Sequence, residues 1–257
     1  MTTGSSSARL SSRARLTWFA HLFKSCVKQH HRELITPLRR FIPDDAVVLD
    51  AGGHAGQFAK LFARMAPNGH VYTVEPGSYA LSIMRPAIRF NRLRNITILP
   101  VGLSDSPGTA TLHVPVKESG SLGYGLSHIT DITEQRARRP SISDSISLTT
   151  IDRIAVSEDL RRLDFIKADI EGWELRMIVG AEQTLLRFRP NLMVEVNSEA
   201  LARAGDTPDS LFSYFASIDY HGYILDPDMQ RFHPVELAQN NDVFFVPSER
   251  SSIMNGT

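Results

Sequence analysis

Cysteine is nearly missing. Cys26 stands alone in 257 residues, so the chain can form neither an internal disulfide nor a cysteine-built metal cluster, and this usage suits a reducing cytoplasm. No apolar run approaches the roughly 18–20 residues that cross a bilayer as a helix. Neither sign of charge is in excess, with 28 Lys and Arg against 28 Asp and Glu. His30, His31, His221 and His233 have no partners at zinc-ligand spacing, so no metal site is expected. What is left is ordinary composition, long enough for one large α/β domain and an N-terminal extension.

Charge is nonetheless uneven along the chain. Residues 1–40 carry eight Lys or Arg against Glu33 alone, a net of +7, and the remainder carries −7. That acidic balance argues against a broad phosphate-binding face, and no nucleic-acid partner is expected. Residues 1–14 read as a disordered basic tail. Residues 15–45 read as a helical extension: Leu16, Phe19, Phe23 and Val27 recur at helical spacing over 15–31, and Ile35, Leu38 and Ile42 suggest a second turn. A solvated extension, organelle targeting and contact with an anionic surface are the readings open for this basic arm.

Over 46–248 strand and helix signals alternate. Strands are predicted at 46–50, 70–74, 96–100, 146–150, 163–168 and 191–196, and helices at 56–66, 77–92, 151–160, 173–188 and 208–218. Strands at 221–225 and 242–247 are expected to close the sheet as an antiparallel pair. This is the pattern of an α/β, doubly wound, mostly parallel sheet of about seven strands. Thr109–Val116 reads as an extra strand, and the Ser-, Gly- and Arg-rich stretch 119–145 as a lid or insertion. Residues 249–257 form a C-terminal tail.

The most informative segment is Val47-Val48-Leu49-Asp50-Ala51-Gly52-Gly53-His54-Ala55-Gly56. An apolar strand ends in a carboxylate, a glycine turn follows, and a second apolar strand ends in Glu75. Glycines let a backbone approach a ligand, and a second-strand carboxylate accepts hydrogen bonds from ribose hydroxyls. A dinucleotide site needs Gly-x-Gly-x-x-Gly. Here the spacing is Asp50-x-Gly52-x-x-x-Gly56, and Asp50 beside a pyrophosphate would be repulsive. A zwitterion with an ammonium and a sulfonium suits the carboxylate better, so the expected cofactor is S-adenosylmethionine.

A second constellation falls at Lys167-Ala168-Asp169-Ile170-Glu171-Gly172-Trp173-Glu174, with Glu195 and Asn197 at the next strand end. Methylating a hydroxyl requires a group that takes its proton, and Asp169, with Glu171 two residues on, is the candidate. The plain structural alternatives are a buried Lys167–Asp169 pair and carboxylates favouring a helix N-terminus. His54 can line the methionine pocket and His128 is a further candidate base. Trp173 reads as a core aromatic or an acceptor-side wall, and Asn197 as a possible acceptor contact.

Four blocks in order over about 46–197 resemble the FkbM-type S-adenosylmethionine-dependent methyltransferases. They are the glycine segment above, Val74-Glu75-Pro76, Val101-Gly102-Leu103-Ser104-Asp105-Ser106-Pro107-Gly108, and Leu148-Thr149-Thr150-Ile151-Asp152 leading into Asp164–Glu174. His54 and Trp173 depart from the family's usual residues. The resemblance implies an O-methyltransferase acting on a hydroxyl of a sugar, glycan or secondary metabolite. It puts Asp50, Gly52, Gly53, His54 and Gly56 at the methionine end, Glu75 at the ribose, and Gly102 with Leu103 beside adenine. Two rivals remain: a nicotinamide-dependent oxidoreductase on the same sheet, and a cofactor-binding module without turnover.

Overall fold

The computed structural model describes residues 12–115, 128–130 and 141–254. The chain opens with α1 (Ser12–Val27), a 3-10 turn (Arg32–Leu34) and α2 (Ile35–Leu38). It continues through β1 (Val47–Ala51), α3 (Gln57–Met65), β2 (His70–Val74), α4 (Ser78–Phe90) and β3 (Ile96–Leu99). Four strands then interrupt the alternation: β4 (Gly102–Leu103), β5 (Gly108–Pro115), β6 (His128–Thr130) and β7 (Ser141–Thr149). Regularity resumes with α5 (Ile151–Ser157), β8 (Phe165–Ala168), α6 (Glu174–Val179), α7 (Glu182–Phe188), β9 (Asn191–Val196), α8 (Ser198–Ala204) and α9 (Pro208–Ser217). The last strands are β10 (Tyr220–Leu225), β11 (Phe232–Val235) and β12 (Asn241–Pro247).

The main sheet has the order β11-β10-β12-β9-β8-β1-β2-β3. β3, β2, β1, β8 and β9 are parallel, and β12 inserts antiparallel between β9 and β10. Strand order reverses between β1 and β8, which puts the ligand crevice beyond the carboxyl ends of these two strands.

Period-2 alternation builds both layers. Leu49, Ala51, Ile166, Ala168, Leu192 and Val194 pack on one face against residues of α5 to α9, such as Ile154, Met177, Leu185, Leu201 and Phe215. Val48, Phe165, Met193 and Phe244 pack on the other against Leu38 of α2 and Ala59 and Phe62 of α3. Asp50 and Lys167 share this second parity and are register neighbours across β1 and β8.

Four details depart from the sequence expectation. The main sheet has eight strands rather than seven: the short edge strand β11 joins it antiparallel to β10, and the expected strand 146–150 lies in the second sheet as part of β7. The expected helix 173–188 is two helices, broken at Gly180, where an added Cβ would lie 2.1 Å from the Ser104 carbonyl oxygen. α8 was not expected. β7 begins at Ser141, earlier than predicted, because it pairs with the whole length of β5.

The second sheet, β4-β7-β5-β6, stands beside α4. Ser78 on α4 donates to Asp144 Oδ2 on β7 at 2.6 Å. Trp173 is buried in a cluster with Ala110, Leu112 and Ile146, the core reading of this aromatic. Most of the expected lid lies outside the described residues, as does the His128 side chain.

α1 is fastened to the domain along one face. Trp18 Nε1 donates to Ser82 Oγ (2.8 Å), and His21 Nδ1 shares a hydrogen bond with the Tyr79 hydroxyl (2.9 Å). Ser25 donates to the Ala55 carbonyl at 2.7 Å. At its C-terminal end the buried Lys60 ammonium donates to the carbonyls of Ser25 and Lys28, and Asn91 to that of Cys26. Carbonyls that a helix leaves unpaired at this end are thus satisfied, and a cation faces the negative pole of its dipole.

Candidate active site

One cavity of about 850 Å³ opens beyond β1, β2 and β8. Gly52, Gly53, His54, Glu75, Gly102, Leu103, Asp169 and Glu171, eight of the ten residues singled out in the sequence, line it. Asp50 and Gly56 are not in its wall. Asp50 is fully buried beneath the turn, its Oδ2 accepting from the Thr73 hydroxyl at 3.0 Å. Burial raises its pKa above the ordinary carboxylate value, against the opposing charge of Lys167 and the Thr73 hydrogen bond. Gly56 occupies the N-cap position of α3.

The β1 turn is shaped by close contact with the β8 loop. Gly52 has φ 80°, and a Cβ there would lie 1.9 Å from the Asp169 carbonyl oxygen. Both Gly52 and Gly53 donate their N–H to the Val74 carbonyl at 3.0 Å, binding the turn to β2. His54 adopts a left-handed φ of 45°. That geometry turns its N–H toward Glu75 Oε2, at 2.8 Å, while Glu75 Oε1 accepts from Gly77 N at 2.7 Å. Burial raises the Glu75 pKa, and these two backbone hydrogen bonds oppose it.

At the other side of the turn Lys167 Nζ lies 3.0 Å from Asp169 Oδ2, with the Lys167 side chain 4% and the Asp169 side chain 40% exposed. Lys167 Nζ also sits 4.9 Å from the centre of the Phe58 ring, which stacks on His31. Burial alone would lower the Lys167 pKa, but Asp169 and Asp50 outweigh it and raise it. Burial alone would raise Asp169, but the Lys167 charge, its hydrogen bond and one from Glu195 hold it below the ordinary value.

The neighbouring carboxyls go the other way. Burial, then the Asp169 and Glu174 charges, push Glu171 up to about 7. Burial and Asp169 push Glu195 up to about 8, so near neutrality Glu195 keeps its proton and donates it to Asp169. The loop that carries Asp169 and Glu171 is held from inside: buried Glu174 Oε1 accepts from the N–H of Ile170 (2.9 Å) and Gly172 (3.3 Å). Glu171 itself has φ 59°, a left-handed conformation retained at this site.

Sequence reasoning treated Lys167 only as a possible partner of Asp169 and Glu195 only as a strand-end acid; both line the cavity. Their signal was the spacing of charges in a buried strand, Lys167 two residues before Asp169. Arg15, Trp18 and Phe19 of α1 line the cavity too, which no motif announced. Asn197 is not in the wall; it caps α8, accepting from Ala200 N at 3.0 Å. Among the described residues no cluster of His, Cys, Asp and Glu has metal-binding geometry.

Comparison with known proteins gives consistent relatives. The 2-O-methyltransferase NoeI of Sinorhizobium fredii is 26% identical over 167 residues, 62% of this chain and 65% of that protein. The AMB antimetabolite synthetase AmbE of Pseudomonas aeruginosa is 24% identical over 240 residues, 81% of this chain but 10% of that protein. The chain therefore spans less than two thirds of the length of these curated relatives. The crystal structure of methyltransferase FkbM from Methylobacillus flagellatus superposes with a TM-score of 0.49 and 15% identity, covering 90% of this chain and 59% of that one. Residues 50–225 match the methyltransferase FkbM domain, from Asp50 on β1 to Leu225 at the end of β10. With more than half of its length inside that match, the chain belongs to the FkbM methyltransferase family.

Proposed function

We propose that this chain is an S-adenosylmethionine-dependent methyltransferase that methylates a hydroxyl oxygen of a small molecule or glycan. One observation carries the reading: a single cavity holds Glu75 at the second-strand tip and, beside the glycine turn, the acidic group Asp169, Glu171 and Glu195. A ligand that presents ribose hydroxyls at one end and positive charge at the other fits this distribution. A pyrophosphate fits it less well, because the Glu75 carboxyl and the ionised Asp169 would face it across the cavity. The nicotinamide reading is disfavoured for that reason as well as for its missing glycine pattern.

Each Glu75 oxygen carries one backbone N–H, and a carboxylate offers about four acceptor sites, so it keeps capacity for two ribose hydroxyls. The backbone of Gly52, Gly53 and His54 would hold the methionine end, and Gly102 with Leu103 the adenine. Asp50 would act from beneath, holding β1 to β2 through Thr73, and Gly56 by starting α3. When bound, S-adenosylmethionine supplies an electrophilic methyl group on a positively charged sulfur.

What the chain's own residues do is align the acceptor, exclude water and move a proton. Of the two candidates, we assign the proton-taking role to Glu171 rather than Asp169. A base works best with a pKa near the operating pH, and Glu171 at about 7 meets that condition, whereas Lys167 depresses Asp169. Asp169 stays ionised and orients the acceptor hydroxyl. The 2-O-methyltransferase activity in NoeI's name supports oxygen as the acceptor atom.

Titration calorimetry of the purified chain with S-adenosylmethionine, its demethylated product and NAD tests the cofactor. The donor and its product are expected to bind and NAD is not. Radiolabelled methyl transfer into hydroxyl-bearing metabolites and glycans then tests the reaction. Saturation by NAD with no heat from the donor would overturn the proposal, and donor binding without transfer would leave only a binding module.

A further inference from the structure

The apolar stripe that made α1 legible as an amphipathic helix is not what packs against the domain. Leu16 is 71%, Phe19 61%, Phe23 69% and Val27 54% exposed. At 100° per residue these four span an arc of only about 80° on the helix surface. Trp18, His21 and Ser25, which bond to Ser82, Tyr79 and Ala55, lie on a different face. The remaining large exposed hydrophobics of the described residues are spread singly, such as Val156 on α5 and Leu237 between β11 and β12. Scattered apolar residues need no partner, but a contiguous aromatic stripe does.

We propose that α1 is a membrane-surface helix, lying on an anionic lipid bilayer with Leu16, Phe19, Phe23 and Val27 in the acyl boundary. Charge complementarity selects this occupant. Residues 1–32 contain six Arg or Lys and no acid, whereas the chain as a whole is neutral. Arg15 lies on one flank of the stripe and Lys24 on the other, Lys28 directly follows the helix, and all three are exposed. Their aliphatic stems can run along the apolar surface while the charges reach lipid headgroups. A second copy of the chain is a poorer occupant, because pairing two such helices brings like-charged flanks together. No helix among the described residues is long and apolar enough to cross a bilayer; α1 therefore lies on the surface rather than spanning it.

The consequence is positional. Arg15, Trp18 and Phe19 also line the cavity, so a bilayer covering the α1 stripe sits next to the cavity mouth.

Flotation of the full chain with vesicles tests this without reference to methyl transfer. Vesicles of phosphatidylcholine with about one-third phosphatidylglycerol should carry the protein; pure phosphatidylcholine should not, and high salt should release it. The double variant Leu16→Glu/Phe23→Glu should lose about tenfold or more in partition, with an unchanged melting temperature. Lys24→Glu/Lys28→Glu should lose binding through the charge alone. No flotation of the wild type would overturn the proposal, as would flotation indifferent to both double variants. A dimer in sedimentation equilibrium that Phe23→Glu dissolves, with no vesicle binding, would assign the stripe to a second copy instead.

Discussion

Lys167 and Asp169 face each other at 3.0 Å across the exit of β8, and the lysine is the far more buried partner. Its side chain continues from the same sheet face as Asp50, so one ammonium offsets two carboxylates. Removing it strands both. Lys167→Met is expected to destabilise the fold in urea denaturation by about 2 kcal/mol, below the roughly 3–5 kcal/mol of a fully buried pair because Asp169 is partly solvated. Lys167→Met/Asp169→Asn should recover part of that loss, which a packing defect at the lysine's position alone would not allow.

Activity and stability should respond to pH in opposite directions. If Glu171 takes the acceptor proton, turnover should rise as pH passes through about 7. The same raised pKa costs stability. The folded state binds a proton on Glu171 more tightly than the unfolded chain does. Its stabilising contribution is therefore complete below the ordinary value of 4.5 and is lost as pH climbs through about 7. Glu195 extends the loss to about 8. Glu171→Gln should flatten the rising limb of turnover and raise the melting temperature at pH 8 by about 2 °C.

Glu75 should govern cofactor affinity rather than turnover. Its two oxygens hold the N–H groups of His54 and Gly77, and the residue lines the cavity. Glu75→Ala leaves two amides without an acceptor and removes the proposed ribose contacts. Donor affinity by calorimetry should fall by roughly 30-fold, or about 2 kcal/mol. Glu75→Gln should lose less, because an amide oxygen still accepts one of the two N–H groups.

The parallel half of the sheet was legible because its strands are short apolar runs, and all but β3 end at a carboxylate or a glycine turn. Period-2 alternation and the Gly52–Gly56 spacing are local facts, and local facts survive in a sequence. β11 was not legible: His233 and Pro234 disturb its alternation, and only pairing with β10 makes it a strand. Gly180 looked like an interior helix residue because the Ser104 carbonyl it must admit is 76 residues away in the chain. The cavity residues followed the same rule. Asp169 and Glu171 belonged to a recognisable run, whereas the roles of Lys167 and Glu195 depend on which strands lie side by side. On α1 the helical period was read correctly, but periodicity says only that a face is apolar, not what covers it.

Gly52 links the two halves of the site, and its replacement should separate positioning from binding. The residue sits at φ 80°, where a side chain is strained, and an added Cβ would meet the Asp169 carbonyl at 1.9 Å. Neither cost can be relieved locally. The N–H groups of Gly52 and Gly53 are tied to Val74, and the Asp169 loop is anchored through Ile170 and Gly172 to Glu174. The β8 loop must therefore move as a unit, carrying Asp169 and Glu171 away from the acceptor. Gly52→Ala is expected to lower melting stability by about 2–3 kcal/mol. Turnover should fall by about 100-fold, since a displacement near 1 Å suffices for that. Donor affinity should fall less than turnover, because the N–H groups of Gly52 and Gly53 stay tied to Val74 and Glu75 keeps its own anchors at His54 and Gly77. Equal losses in affinity and turnover would show that the turn serves binding alone.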